Sequence, residues 1–328
     1  MTSLPRAIFY IPDQAQVSKL EAADMDRDWQ QFSTGVQVWI GQTYLRLRAA
    51  GYPVTLQSTP PDEGVVVVHA DHAATLFAQR SLLSKLTVVV TRADRPAHPY
   101  ADVEIVQNMY TATGGALHVQ HWPQPGLIAR DEARGSIMRN IAFKGNAREM
   151  ADEFQGAEWL AALEAEGMVW RPDAALWGEP APTQQANWND YREIDAIIAL
   201  RQNTSHQHVR KPASKLVNAW LAGVPAILGP EVAYTELGRP GVDYLQVSSP
   251  TEALQALRHL KQFPAAYQDI VLQGRQRAAQ VGAEAVTRRW AELLFDEIPR
   301  LHAGKSALLR HLPRSLRSRA RTILPLGR

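Results

Sequence analysis

Short runs of apolar residues alternate with amphipathic stretches along the first third of the chain. The runs "GVVVVHA" and "LTVVVT" are continuous rather than alternating, which is typical of strands covered by helices on both faces of a parallel sheet. The amphipathic stretch from Val36 to a capping Gly51 predicts one of the covering helices. We predict strands at Ala7–Ile11, Val54–Gln57, Val65–His69, Leu86–Thr91 and Val103–Gln107.

The same pattern restarts in the second half. Helical stretches there separate apolar runs at 139–146, 168–172, 193–201, 224–228 and 241–247, and further helices follow up to Leu301. The segment 118–135, "HVQHWPQPGLIARDEARG", carries prolines and glycines that mark a linker. The sequence therefore predicts an α/β protein with two doubly wound domains facing a cleft. Their predicted bounds are 1–135 and 136–302, and a tail follows at 303–328.

Composition narrows the class of protein. With 45% hydrophobic and 21% charged residues, the chain reads as globular. It has no cysteine, which excludes disulfides, thiolate metal sites and a thiol nucleophile. We expect no bound metal and no cofactor. The N-terminus lacks the basic and apolar regions of a signal peptide, and no run approaches 18 apolar residues, so we expect a cytoplasmic protein.

The positive charge is concentrated at the C-terminus. Residues 303–328 hold seven Lys or Arg and no acid, so the net charge of +2 leaves −5 for the rest of the chain. A mildly acidic body argues against a nucleic-acid binder. Leucines between the arginines allow an amphipathic segment that rests on anionic lipid at the inner face of a membrane. Pro313 and Pro325 interrupt any long helix, so a disordered or crossover segment is the alternative.

The run "RKPASKLVNAWLAGVPAILGPE" (210–231) contains a candidate ligand site. It places a helix directly after the loop of a predicted strand, with Ser214 and Lys215 in the first turn of that helix and Arg210 and Lys211 just before it. In open parallel sheets, ligands lie outside the carboxyl ends of the strands, where helix N-termini offer free N–H groups. This arrangement is suited to an anion; an ordinary capped helix with solvated cations is the alternative.

Two acidic residues follow the next strand. Gly223 ends the helix, "VPAIL" forms the strand, and Glu231 and Glu236 come after its carboxyl end. Carboxylates at such positions commonly bind the paired hydroxyls of a ribose or a hexose.

The run "PASKLVNAWLAGVPAIL", followed by "EVAYTELGRPGVDYLQV", resembles the donor-binding region of glycosyltransferases of the GT-B fold, which has two Rossmann-like domains. The matching positions are Pro212, Ser214, Lys215, Leu216, Ala219, Gly223 and Pro225. The resemblance implies that the C-terminal half binds a nucleotide-diphosphate sugar and that Lys144 helps to hold the diphosphate. Asn218 and Arg210 stand where those enzymes often have glutamates.

The N-terminal half is then expected to carry the acceptor and any catalytic base. "VVVVHADHAATL" places His69, Asp71 and His72 at the carboxyl end of a buried strand, and a histidine is suited to removing a hydroxyl proton near neutral pH. We predict His69 or Asp71 as the base, with His72 nearby. The alternative is a capped helix in which Asp71 is the N-cap and the histidines lie at the surface.

The linker supplies further candidates. His121, Trp122 and Gln124 are predicted to lie beside the acceptor. Trp122 could stack on a sugar face, and it could equally fill the hinge between domains.

Together these features predict a metal-independent glycosyltransferase that moves a sugar, such as a hexose, from a nucleotide-diphosphate sugar to an unidentified acceptor in glycan biosynthesis. Two alternatives remain open from the sequence. A nucleotide-sugar epimerase of the same fold would change the sugar without any acceptor, and a non-catalytic nucleotide- or sugar-binding protein would show no turnover.

Overall fold

A computed structural model describes residues 6–81, 84–175, 187–201 and 208–302. The basic segment 303–328, for which a membrane contact is predicted, lies outside the described residues. The strands are β1 (Ala7–Tyr10), β2 (Val54–Gln57), β3 (Glu63–His69), β4 (Lys85–Thr91), β5 (Val103–Val106), β6 (Leu117–His118), β7 (Asn140–Asn146), β8 (Val169–Ala175), β9 (Ala196–Ala199), β10 (Ala226–Leu228) and β11 (Leu245–Gln246).

The α-helices are α1 (Gln14–Glu21), α2 (Thr43–Ala49), α3 (Ala70–Gln79), α4 (Ala157–Ala165), α5 (Ser214–Ala222), α6 (Val232–Leu237), α7 (Pro250–Gln262), α8 (Pro264–Val281), α9 (Ala283–Glu292) and α10 (Ile298–His302). Two π-helical segments, Gln37–Gln42 and Leu293–Glu297, lead into α2 and α10. The predicted helix 36–51 therefore forms, although its first half is π-helical.

The described residues form two compact units. The N-terminal unit comprises the described residues of 6–122, Arg210–Pro212 and 283–302, and the C-terminal unit comprises the described residues of 123–209 and 213–282. These units differ from the predicted division at 135 and 302, because α9 and the π-helical segment after it pack into the N-terminal core. Val286, Trp290 and Leu293 are buried there in one cluster with strand residues such as Val67.

The N-terminal unit is built on a parallel sheet of order β2-β1-β3-β4-β5-β6. The continuous valine runs of β3 and β4 form its centre, and Val66 through Val68 are fully buried because helices cover both faces. The strand order reverses between β1 and β3, so these two strands form the topological switch point of the sheet.

The C-terminal unit has a parallel sheet of order β11-β10-β9-β7-β8. Gly223 ends α5 in the left-handed conformation, with φ of 72°. Gly274 on α8 admits a close approach, since a Cβ there would lie 2.5 Å from the Trp220 ring. Two parallel sheets flanked by helices confirm the predicted α/β class. None of the helices in the described part of the chain combines the length and hydrophobicity needed to cross a bilayer.

A buried carboxylate joins the start of the C-terminal sheet to the segment that precedes it. Asp195 is fully buried and accepts hydrogen bonds from Arg130 and Arg134 at 2.8 Å each and from the backbone N–H groups of Arg139 and Asn140 at 2.9 and 2.8 Å. Both oxygens are therefore satisfied, which is what makes a buried charge tolerable.

Candidate functional site

The candidate donor site of the C-terminal unit lies at the carboxyl edge of its sheet. The ends of β9 and β10, the loop after β7 and the first turn of α5 meet there. These elements contribute Arg201, Glu231, Glu149 and Lys215.

The first turn of α5 has no cap from its own N-cap residue. Ala213 has no side chain that accepts a hydrogen bond, and no side chain in the described part of the chain is seen to cap the first N–H groups of the helix. Ser214 opens the helix and Lys215 follows it, as the sequence predicts. An uncapped N-terminus with a cation in its first turn can receive an anion.

The Lys215 ammonium is held over the end of β7. Nζ lies 5.5 Å from the centre of the Phe143 ring, and a Cβ at Gly145 would lie 3.2 Å from it. Glu149 Oε2 lies 3.5 Å from Nζ. Burial lowers the pKa of Lys215, as does the nearby charge of Arg201, while Glu149 and Glu231 oppose the shift. Gly145 thus gives the ammonium the space it occupies.

Arg201 connects two carboxylates at the end of β9. Its Nη1 lies 2.8 Å from Glu149 Oε2 and its Nε donates to Glu231 Oε1 at 2.9 Å. Burial alone lowers the pKa of Arg201, but the charges of Glu231 and Glu149 raise it overall, so the guanidinium stays charged. Glu231 Oε2 and the Tyr234 hydroxyl are buried without a hydrogen-bond partner in the described part of the chain.

Glu149 and Arg201 are site residues that the sequence did not predict. Arg201 is the last residue of a predicted strand, and ligands of parallel sheets bind at the carboxyl ends of strands. That position alone was a signal in the sequence. Glu149 follows β7 in a short 3₁₀ turn, Ala147–Glu149, and its pairing with Arg201 depends on tertiary structure.

The predicted role of Lys144 is corrected by its surroundings. Its ammonium donates to Asp173 at 2.5 Å and to the backbone carbonyls of Asn187 and Asp190 at 2.7 and 2.8 Å. These three bonds use all three ammonium protons. Lys144 therefore secures the β7–β8 side of the sheet and has no proton left for a diphosphate.

Asn218 and Gln124 contact each other within the C-terminal unit. Asn218 Oδ1 accepts the backbone N–H of Gln124 at 3.0 Å, and the Gln124 side chain donates to the Pro125 carbonyl at 3.3 Å. The carbonyl of Asn218 is thus engaged, and its amide N–H₂ is the group left for a ribose hydroxyl. Glu236 is exposed on α6.

Arg210 and Lys211 belong to the N-terminal unit. Gln107 donates to the Arg210 carbonyl and Asn108 to the Lys211 carbonyl, at 2.5 and 2.9 Å. The Lys211 ammonium lies 3.3 Å from Asp94. The Arg210 side chain is exposed.

In the N-terminal unit, His69 caps α3. Its Nδ1 accepts the backbone N–H of Asp71 at 3.2 Å. Burial lowers the pKa of His69 to about 4, and Nε2 is buried against Gly35, where a Cβ would lie 2.8 Å away. An imidazole whose Nδ1 accepts carries its neutral proton on Nε2 and cannot act as a base there. His69 therefore has a capping role in place of the predicted base role, whereas the capped-helix alternative had placed Asp71 at the N-cap.

Asp71 is engaged by an arginine from the loop after β4. Arg95 donates to its two oxygens at 2.6 and 3.1 Å, and this contact holds the pKa of Asp71 below its ordinary value. A carboxylate stabilised in this way is a weak base. The pairing with Arg95 thus weighs against Asp71 as the base, and that role stays a prediction.

His72 is the remaining histidine of this cluster. It follows Asp71 in the first turn of α3 and is half-buried, and its Nδ1 is itself buried without a hydrogen-bond partner among the described residues. Burial lowers its pKa, while Asp71 and Asp13 oppose the shift. Asp13 caps α1 after β1. His72 and Asp13 thus follow the two strands of the switch point, where ligands of such sheets bind.

Trp122 and His121 are packed into the N-terminal unit. Trp122 is buried and its Nε1 donates to Thr43 at 2.8 Å. His121 Nδ1 lies 2.7 Å from the Trp122 carbonyl, and its ring meets Trp39 edge to face. Burial lowers the pKa of His121 to about 4. Of the two alternatives for Trp122, a buried plug fits these contacts and a sugar-stacking platform does not.

We expect Gly35→Ala to destabilise the protein by about 1–3 kcal/mol, because the added methyl group must displace the buried His69 ring. Urea unfolding at pH 7 measures the change. In the His69→Ala background the same substitution should cost little, since the ring is gone. An equal cost in both backgrounds would contradict the contact.

Among the described residues, no group of three or more His, Asp or Glu side chains could hold a metal ion.

Comparisons with known proteins identify the fold. No protein-family model matches the sequence, and no curated protein is significantly similar to it. Among solved structures, sucrose-phosphate synthase from Thermosynechococcus elongatus is 13% identical with a TM-score of 0.59, covering 92% of this chain and 100% of that chain. Anabaena HepE, solved in complex with UDP and glucose, is 12% identical with a TM-score of 0.52, covering 89% and 100%.

AviGT4, a glycosyltransferase involved in avilamycin A biosynthesis, is 14% identical with a TM-score of 0.54, covering 88% of this chain and 96% of that chain. At such identities the likeness shows the fold. This chain has the fold of the GT-B glycosyltransferases.

Proposed function

We propose that the protein transfers a sugar from a uridine-diphosphate sugar to a hydroxyl group of an acceptor, without a metal ion. The observation that carries the proposal is the uncapped N-terminus of α5 with Lys215 in its first turn, at the carboxyl edge of a parallel sheet. The choice of UDP is supported by HepE, which was solved with UDP and with UDP-glucose.

The donor site stabilises the leaving group. As the bond between the anomeric carbon and the diphosphate oxygen breaks, negative charge grows on the diphosphate. The free N–H groups of the α5 first turn and the Lys215 ammonium donate to that charge from fixed positions. Fixed donors of this kind supply the stabilisation for which other transferases use a metal ion.

The acceptor loses its proton to His72. The acceptor oxygen forms the new bond to the anomeric carbon, its proton passes to the imidazole of His72, and UDP departs with the electron pair of the broken bond. The His72 ring is half-buried, whereas the His69 ring is buried and caps α3, and its lowered pKa keeps the His72 ring unprotonated at neutral pH.

Replacing Lys215 by alanine tests the donor site. We expect UDP binding to weaken by about 1.5–3 kcal/mol, or about 10- to 150-fold, because a charge-assisted contact to the diphosphate is lost. Uridine, which has no phosphate, should bind equally to both proteins. Isothermal titration calorimetry gives both affinities.

Lys261→Ala is the matched control, because Lys261 is an exposed lysine on α7 of the same unit. Equal UDP affinity of Lys215→Ala and the parent protein would refute the donor site. A panel of UDP-sugars with sugar acceptors, assayed in excess chelator, then tests the reaction. Release of an altered UDP-sugar without any acceptor would indicate an epimerase, and binding without turnover would indicate a binding protein.

A further inference from the structure

We propose that Glu149 is an internal counter-ion that occupies the anion-binding position of Lys215 and gives way to the donor diphosphate. The inference rests on the proposed function, since it concerns the same site. It makes Glu149 a determinant of how strongly the site binds anions.

The geometry places one carboxylate oxygen between two cations. Glu149 Oε2 lies 2.8 Å from Arg201 Nη1 and 3.5 Å from Lys215 Nζ. Within the described part of the chain, Glu149 is the one carboxylate at ion-pair distance from Lys215. An anionic oxygen in this place is what a phosphate oxygen would supply.

The two acids of the cluster differ in exposure and in the element that carries them. The Glu231 side chain is 2% exposed and that of Glu149 is 24% exposed. Glu231 caps α6 at its backbone and bonds Arg201 through Oε1, so Arg201 keeps a partner when Glu149 leaves. Glu149 is on a 3₁₀ turn and meets Lys215 at a distance longer than a close ion pair. Glu149 is therefore the acid that an incoming anion can displace.

The charge balance gives the consequence. Arg201 and Lys215 are opposed by Glu149 and Glu231, so the cluster is neutral as it stands. A diphosphate must compete with the Glu149 carboxylate for Lys215 and then tolerate its negative charge nearby. Neutralising Glu149 removes both the competition and the repulsion. The variant should bind the anionic nucleotide more tightly than the natural protein does.

The test is Glu149→Gln in the full chain, with UDP and uridine as ligands. We expect the dissociation constant of UDP to fall about three- to tenfold and that of uridine to stay unchanged. Glu153→Gln removes the same charge from an exposed position in the next turn of the chain and should change UDP affinity less than twofold. In the Lys215→Ala background, Glu149→Gln should bring little gain, because no ammonium is left to release.

Equal or weaker UDP binding by Glu149→Gln, in a variant with a native circular dichroism spectrum, overturns the inference. If that variant does not fold, Glu149→Asp decides instead, since the shorter side chain keeps the charge but withdraws it from Lys215; it too should bind UDP more tightly, and unchanged affinity overturns the inference. Failure of the natural protein and of the variants to bind UDP overturns the proposed function and this inference together. Binding by the natural protein without any gain in the variants overturns the inference alone.

Discussion

Replacing His72 by alanine is expected to lower turnover about a hundredfold or more and to leave UDP affinity nearly unchanged. A general base contributes about 10²- to 10⁴-fold to a proton transfer, and His72 belongs to the N-terminal unit whereas Lys215 belongs to the C-terminal unit. Initial rates with saturating UDP-sugar measure the first effect and calorimetry the second. His259→Ala, an exposed histidine on α7, is the control and should keep normal rates.

The pH profile gives an independent reading of the same base. Burial lowers the pKa of His72 below its ordinary 6.5, and the unprotonated ring is the active form. Turnover should therefore be flat above pH 6.5 and fall as the pH drops through the lowered pKa. Near-normal turnover in His72→Ala, or an acidic limb above pH 6.5, would place the base elsewhere. His69→Ala and Asp71→Asn, assayed in parallel, would show whether either residue serves as the base instead.

Replacing Asp195 by alanine is expected to destabilise the protein by about 3–5 kcal/mol, because Arg130 would remain buried without its carboxylate. Two backbone N–H groups would lose their acceptor as well. The free energy of unfolding in urea measures the loss. Asp269→Ala, which removes an exposed acid of α8, should change stability by less than about 0.5 kcal/mol.

The stability supplied by Asp195 should depend on acidity. Burial alone raises the pKa of Asp195, but the bonds from Arg134, from the Asn140 and Arg139 N–H groups and from Arg130 lower it overall. A carboxylate with a depressed folded-state pKa stabilises the protein fully above its unfolded value of 3.8, and this stability is lost as the pH falls through the folded-state value. Asp195→Asn should flatten this part of the stability profile. If Asp195→Asn loses stability at low pH as the parent protein does, Asp195 is not the source of that loss.

The strands of both sheets follow from the sequence because their apolar runs are continuous. Val54–Gln57 is predicted and observed with identical bounds, and β4 begins one residue earlier than predicted. A run of valines covered on both faces carries its own boundaries, since the flanking residues are polar. Strand β6 is missed because two residues, Leu117 and His118, are too short for any period.

The site residues depend on partners that are distant in the chain. Lys144 reads as a free cation at a strand end, and only the fold brings Asp173 to its ammonium. From the sequence, His69 and Asp71 are both candidates for the catalytic base. In the structure, Arg95 donates to the Asp71 carboxylate and the α3 backbone donates to His69. The position of a residue at the carboxyl edge of a sheet is therefore predictable from the sequence, whereas the free or occupied state of its polar atoms is not.

The return of α9 to the N-terminal core reverses the usual order of events during synthesis. Trp290 and Leu293 are needed to cover the side of the sheet that includes Phe9 and Val67, yet they leave the ribosome about 170 residues after β6. At about 5–20 residues per second, that face waits about 9 to 35 s for its cover. The C-terminal sheet and its helices are complete by then, so the half of the molecule that is made first is finished last. Until α9 emerges, the apolar strands of the N-terminal sheet stay uncovered on that face. Exposed apolar surface of this kind is what chaperones bind.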